Sequence, residues 1–533
     1  MFGVPEIKNK SPKARVKLYR MNQKASAPTW AESLKLIIHP RVLNMLFLGF
    51  SAGIPLLLIF SSLSLWLREA GVDRKAVTFF SWAALGYSFK FVWAPLVDVL
   101  PLPILGRWLG RRRSWLLFSQ SLIAAALFFM GSIDPALGPE KLHLMALAAV
   151  LLGFSSATQD IVIDAYRIES AETRIQAMMS SSYVAGYRLG MVCSGAGALF
   201  LASFFGSEMG SYSFRAWQLT YFIMASTLLV GIVTTLASPE PKIENRISKF
   251  TYKSKDYLRL VLLFALVVGV FVTTFFFVDR WVPLDIEGLS KKPFLAFLFE
   301  ALRFLLAAMA ATVAGLGLVK ISFIDKKIAS QTWVEPVKDF FSRYGMKTSV
   351  LLLTLVGLYR ISDIVLGVIS NVFYQDMGYS KNEIATAVKT FAIFVTIAGG
   401  FLGGIFSSKF GVMKALIWGA AMSALTNILF IFLSHSGHNL PLLYLVVGAD
   451  NLAAGFASAA FIAFLSSLTN VAFTAVQYAI FSSLMTLFPK VLGGYSGTLV
   501  EHLSYTGFFT FTTILGLPVL CLCILANRNL TLR

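Results

Sequence analysis

Charge is what this sequence is short of. Asp, Glu, Lys and Arg make up 14% of its 533 residues, while 57% are hydrophobic. A soluble chain carries roughly a quarter of its residues as charges, so lipid must be the solvent for most of this one. Metal-binding and catalytic residues are scarce too. There are five histidines and three cysteines, Cys193, Cys521 and Cys523, all inside apolar runs. The Cys521/Cys523 pair has no second pair or histidine cluster to complete a zinc site, so all three read as small apolar side chains. The sequence holds no Gly-Lys-Ser/Thr phosphate loop, no HExxH and no Ser-His-Asp arrangement. Enzyme chemistry, a cofactor and a metal are therefore not expected. The first forty residues are polar and basic and lack the short apolar core of a cleavable signal, which places the start of the chain in the cytoplasm.

What is abundant is apolar runs long enough to span a bilayer, which takes about twenty residues per helix. Fourteen are read, grouped six, two and six. The expected fold is an all-α membrane protein. A basic tail with an interfacial helix covers 1–41, a six-helix bundle 42–237, and a linker with two extra spans and an amphipathic helix 238–345. A second six-helix bundle covers 346–527, and a short tail 528–533. The formal charge of +19 comes from 46 Lys and Arg against 27 Asp and Glu. These cations lie between the apolar runs, and well over half fall in alternate loops. That pattern sets membrane orientation, with both termini cytoplasmic, and does not indicate nucleic acid. Trp66, Trp115, Trp217 and Trp281 sit at predicted span ends as interfacial anchors. Segments 29–38 and 332–345 read as interfacial helices, the second joining the two halves.

Charges inside the spans are the candidate site. Each costs on the order of 3 kcal/mol at the bilayer centre, so each is kept where it faces a partner or a water-filled cavity. They are Lys90, Asp160, Asp164, Arg188, Glu300, Arg303, Arg360, Asp363, Lys389, Asp450 and Lys490. Asp160 and Asp164 share one face of the fourth span, with Gln159 beside them; two like charges there repel, and protonating one relieves the repulsion. Glu300 and Arg303, one turn apart, read as a static pair, and Lys490 as a residue that reaches an interface. Lys90 and Arg188 are read as substrate-carboxylate ligands. Asp160 is the first candidate for the proton site, with Arg188 its expected partner and Asp164 and Asp450 in reserve. Gln159, Arg360, Asp363, Lys389, Asn451 and Gln477 are expected to line the cavity. Arg111, Arg112 and Arg113, with Asp98, form an expected gate latch. Gly186/Gly190, Gly399/Gly403 and Gly400/Gly404 are small-xxx-small pairs for close helix approach.

Several strings are similar to those of one family. Phe89-Lys90-Phe91-Val92-Trp93-Ala94-Pro95, Gly110-Arg111-Arg112-Arg113-Ser114-Trp115 and Gln159-Asp160-Ile161-Val162-Ile163-Asp164-Ala165-Tyr166 come from the first half. Leu358-Tyr359-Arg360-Ile361-Ser362-Asp363 and Gln477-Tyr478-Ala479 follow in the second. Together they resemble the muropeptide permease (AmpG) family of the major facilitator superfamily, over roughly 42–237 and 346–527. The resemblance implies a multi-pass carrier of a Gram-negative inner membrane, and a monomer is expected. It would import N-acetylglucosaminyl-1,6-anhydro-N-acetylmuramyl peptides with protons, for peptidoglycan recycling and, in some bacteria, β-lactamase induction. Transport of another anion such as acetyl-CoA is the competing reading, and a non-transporting receptor or membrane enzyme a third.

Overall fold

In the computed structural model, residues 35–72, 85–171, 173–241, 252–281 and 293–531 are described. Thirteen helices among them are long and apolar enough to cross a membrane. The predicted second span is described only from Leu85 to Val99, its outer part lying outside the described residues, as do residues 29–34 of the first interfacial segment. The buried apolar side chains gather in a core around Leu48, Ala157 and Ile161 that reaches across to Ile405, Ala475 and Ala479 of the second half, a neighbour around Trp66 and Trp217, and another around Phe373, Phe430 and Phe461.

Glycine sets the helix spacing. A Cβ on Gly186 would lie 1.9 Å from the Leu46 carbonyl oxygen, and one on Gly190 2.3 Å from that of Phe50. The fifth span (Ile175–Phe204) therefore rides on the backbone of the first (Pro40–Glu69). The second half repeats the device, with Gly399 against Leu452 and Gly403 against Phe456. Gly404 instead faces Ser181 of the other half, and a Cβ there would stand 3.1 Å from the Ser181 Cβ.

A helix runs over the segment expected to be interfacial and on into the following span, Glu335–Leu358, with Gly345, at φ 70°, at the break between the two. The extra hairpin, Ser254–Val278 and Ala301–Lys320, stands at the periphery with most of its surface turned to lipid. Within it, the Arg303 guanidinium stacks on Phe275 at 4.0 Å and its Nε donates to the Phe275 carbonyl. The side chain of its expected partner Glu300 lies outside the described residues.

Two tryptophans are not interfacial anchors. Trp66 and Trp217 stack inside the core at 5.6 Å, where the Trp217 indole donates to Glu69 at 2.7 Å. An indole with a half-buried carboxylate to receive its N–H has no need of the headgroup layer.

Candidate functional site

Both halves break a helix where they carry a cation. In the second span Pro95 has no amide to donate back along the chain. The helix accordingly tightens into a short turn over Lys90–Val92 and restarts at Ala94. Lys90 sits at that break, 7% exposed, with its ammonium 3.9 Å from Asp164 Oδ2 and close to Asp160 as well. In the second half the chain breaks between Leu358 and Ile361, and Arg360 occupies the gap. Its Nε lies 3.4 Å from Asp363 and its Nη1 donates to Ser458 at 2.8 Å. Interrupted helices of this kind line the central sites of transporters. Two π-helical turns adjoin the region, Cys193–Gly197 beyond Arg188 and Ala385–Phe391 around Lys389. Such turns concentrate at functional sites.

The carboxylates of the fourth span (Pro139–Ser170) are not equivalent. Asp164 is held by Lys90 and, at 3.1 Å, by Arg167, whose guanidinium also donates to Ser180 and to Ser466 of the other half. Asp160, equally buried, receives among the described residues a long 3.4 Å bond from the Tyr183 hydroxyl, and lies in the opposing fields of Lys90 and Asp164. The expected Asp160–Arg188 pair does not form. Arg188 has no ion pair or hydrogen bond among the described residues; the charge that acts on it is Arg360. Two cations, one from each half, thus lie in each other's field, and among the described residues only Arg360 has an ion pair. Asp450 neighbours Asp363 and Thr426, and Asn451 is fixed by Thr396 at 3.0 Å. Gln159 accepts from Ser51 while its amide nitrogen is buried without a partner among the described residues. Lys389 is exposed, and Lys490 reaches Ser88 at 3.5 Å.

Gln477 belongs elsewhere. It is 1% exposed and tied to Arg343, Asp339, Pro336 and Asn470. Those bonds pin the interfacial helix to the second half and leave it no free group for a cavity.

The basic end is closed by a network larger than the arginine run suggests. Arg112 is fully buried, 2.7 Å from Asp98 and 2.6 Å from Glu169. Arg111 shares Glu169 at 3.2 Å, and Glu240 accepts the backbone amides of Arg112 and Arg113. The remaining oxygen of Asp98 accepts the amide of Val476 across the interface between halves at 3.1 Å. Together with Arg167–Ser466 this joins the halves at the basic end. Arg167, Glu169 and Glu240 had been outside the predicted spans, where charges look like loop residues.

Known proteins supply the lineage. The family described as Major Facilitator Superfamily matches residues 45–334. The putative transporter AmpG 4 of Rickettsia conorii is 31% identical over 92% of this chain and 97% of its own length. The anhydromuropeptide permease of Escherichia coli K12 is 27% identical over 94% of this chain and 82% of its own. Among solved structures, the proton:xylose symporter XylE superposes with a TM-score of 0.53 at 14% identity over 93% of this chain and 95% of its own, a likeness of fold alone. With its interrupted charged helices in two halves and these relatives, the chain is a major facilitator transporter and belongs to the muropeptide permease (AmpG) family.

Proposed function

We propose that this transporter imports anhydromuropeptides from periplasm to cytoplasm in symport with protons, with both termini cytoplasmic. The observation that carries the reading is Arg188 of one half lying in the field of Arg360 of the other, with no anion on Arg188 among the described residues. Unpaired like charges inside a membrane protein are costly, and a substrate bearing carboxylates relieves that cost while bridging the halves. A muropeptide has several carboxylates, an amine and sugar hydroxyls. Lys90, Gln159, Asp363, Lys389 and Asn451 give it cations, an anion and amide groups to meet. The Escherichia coli relative, named for anhydromuropeptide permease, supports the substrate class. Asp160, poorly paired beside Lys90, is the proton carrier of the proposal. Asp98, Arg111, Arg112 and Arg113 form the cytoplasmic gate, closed in this state.

Uptake of labelled anhydromuropeptide into proteoliposomes tests the reading. Accumulation should require an inward proton gradient, collapse with a protonophore, and resist excess acetyl-CoA. Gradient-independent equilibration would remove symport, and full competition by acetyl-CoA would favour the other anion.

A further inference from the structure

A cavity of about 1290 Å³ lies away from the seam between the halves. It lies on the flank of the first half, between the inner ends of the second, third and fourth spans and the extra hairpin. Its walls are apolar: Trp93, Phe118, Leu122 and Phe154 on one side, Val261 and Phe264 on the other. Phe118, Phe154, Val261 and Leu258 are also 37–60% exposed, so the crevice opens sideways toward lipid. An apolar space at that depth is not a home for water, and left empty it forfeits the dispersion contacts of its walls.

Charge at the mouth selects the occupant. Asp98 and Glu169 line the floor but are both held by Arg112, and Glu240 is taken by two backbone amides. Arg107 lines the same cavity, is exposed, and has no partner among the described residues. Lys255, equally exposed, adjoins the lining residue Ser254. Ile104 and Trp108, 72% and 82% exposed, flank Arg107 on its short helix as an interfacial foot. Unspent positive charge over an apolar crevice between spans is a phospholipid site.

We infer that this crevice holds one anionic phospholipid, an acyl chain between Phe118/Leu122 and Val261/Phe264 and the headgroup phosphate at Arg107. The lipid completes the packing of the hairpin against the first half and stands directly against the Asp98–Arg112–Glu169 network. Native mass spectrometry of the purified full-length protein, titrated with phosphatidylglycerol or phosphatidylethanolamine, tests it. The wild type should retain one phosphatidylglycerol, in preference to phosphatidylethanolamine. Val261→Trp fills the crevice and should lower that retention by at least about tenfold. Leu258→Trp, at a more exposed wall position, should do the same and serves if the first variant fails to fold. Arg107→Gln should reduce the headgroup preference about fivefold, the worth of one cation near an anionic headgroup. Glycerol phosphate alone should not compete, since the chain supplies the affinity. Undiminished retention in a folded Trp variant, an unchanged preference in Arg107→Gln, or full competition by glycerol phosphate would overturn the assignment.

Discussion

Asp160 and Asp164 differ by their neighbours, and the difference assigns their tasks. Asp164 has two cations within 4 Å, whereas Asp160 has one long hydroxyl contact and shares Lys90. Asp160→Asn, which mimics the protonated carboxyl, should still exchange substrate across the membrane but no longer concentrate it. Counterflow and gradient-driven uptake, measured side by side, separate the two; normal accumulation would move the proton site to another carboxylate. Arg112 makes the opposite kind of prediction. Its removal strands Asp98 and Glu169 in the interior, and breaking a buried pair costs roughly 3–5 kcal/mol. Arg112→Ala should therefore lose folded protein, read by thermal unfolding in detergent, before any question of transport arises. The sequence list of in-membrane charges contained most of the side chains that gather here, because an isolated charge in an apolar run is conspicuous. It could not say who faces whom. Adjacency of spans pairs Arg188 with Asp160, yet Lys90 is Asp160's neighbour, and Arg167 and Glu169 read as loop charges in the sequence although the fourth helix runs on to Ser170.

At the scale of elements, glycine contacts decide where helices can lie. The first and fifth spans meet backbone to backbone at Gly186 and Gly190, leaving no room for a side chain. Gly186→Ala should cost about 1–3 kcal/mol through forced separation, seen as a lowered midpoint of thermal unfolding. A substitution at Gly269, which meets nothing within 4 Å, should be silent by the same measure. The spans themselves were legible from apolar length, and the small-xxx-small pairs from spacing. The π turns at Cys193–Gly197 and Ala385–Phe391 were not, since an extra residue in a helical turn leaves no mark on hydrophobic periodicity. Nor was the role of Gln477, whose four partners come from a separate helix and loop.

For the molecule as a whole, alternating access requires the closed basic end to part. Gly404 and Ser181 meet there across the two halves; a Cβ on Gly404 would stand 3.1 Å from that of Ser181, short of the roughly 3.5–4.5 Å of a disulfide, so a slight parting of the two helices brings a bridge within reach. With Cys193, Cys521 and Cys523 replaced by Ala, Ser181→Cys/Gly404→Cys should oxidise to an intramolecular bond and stop uptake. Reductant should restore uptake, and substrate should still bind the oxidised form from the opposite side. Uptake undiminished by the cross-link would mean that this contact never opens.

The central claim is that the substrate's carboxylate completes the charge between Arg188 and Arg360. Its most direct test is calorimetric binding of an anhydromuropeptide to the purified wild type and to Arg188→Gln. Because Arg188 has no partner among the described residues, the variant should keep its thermal stability. Its affinity should fall by about 2–5 kcal/mol, the cost of leaving a buried carboxylate without its cation, or roughly thirtyfold and more in Kd. An unchanged Kd in a stably folded Arg188→Gln protein would contradict the account.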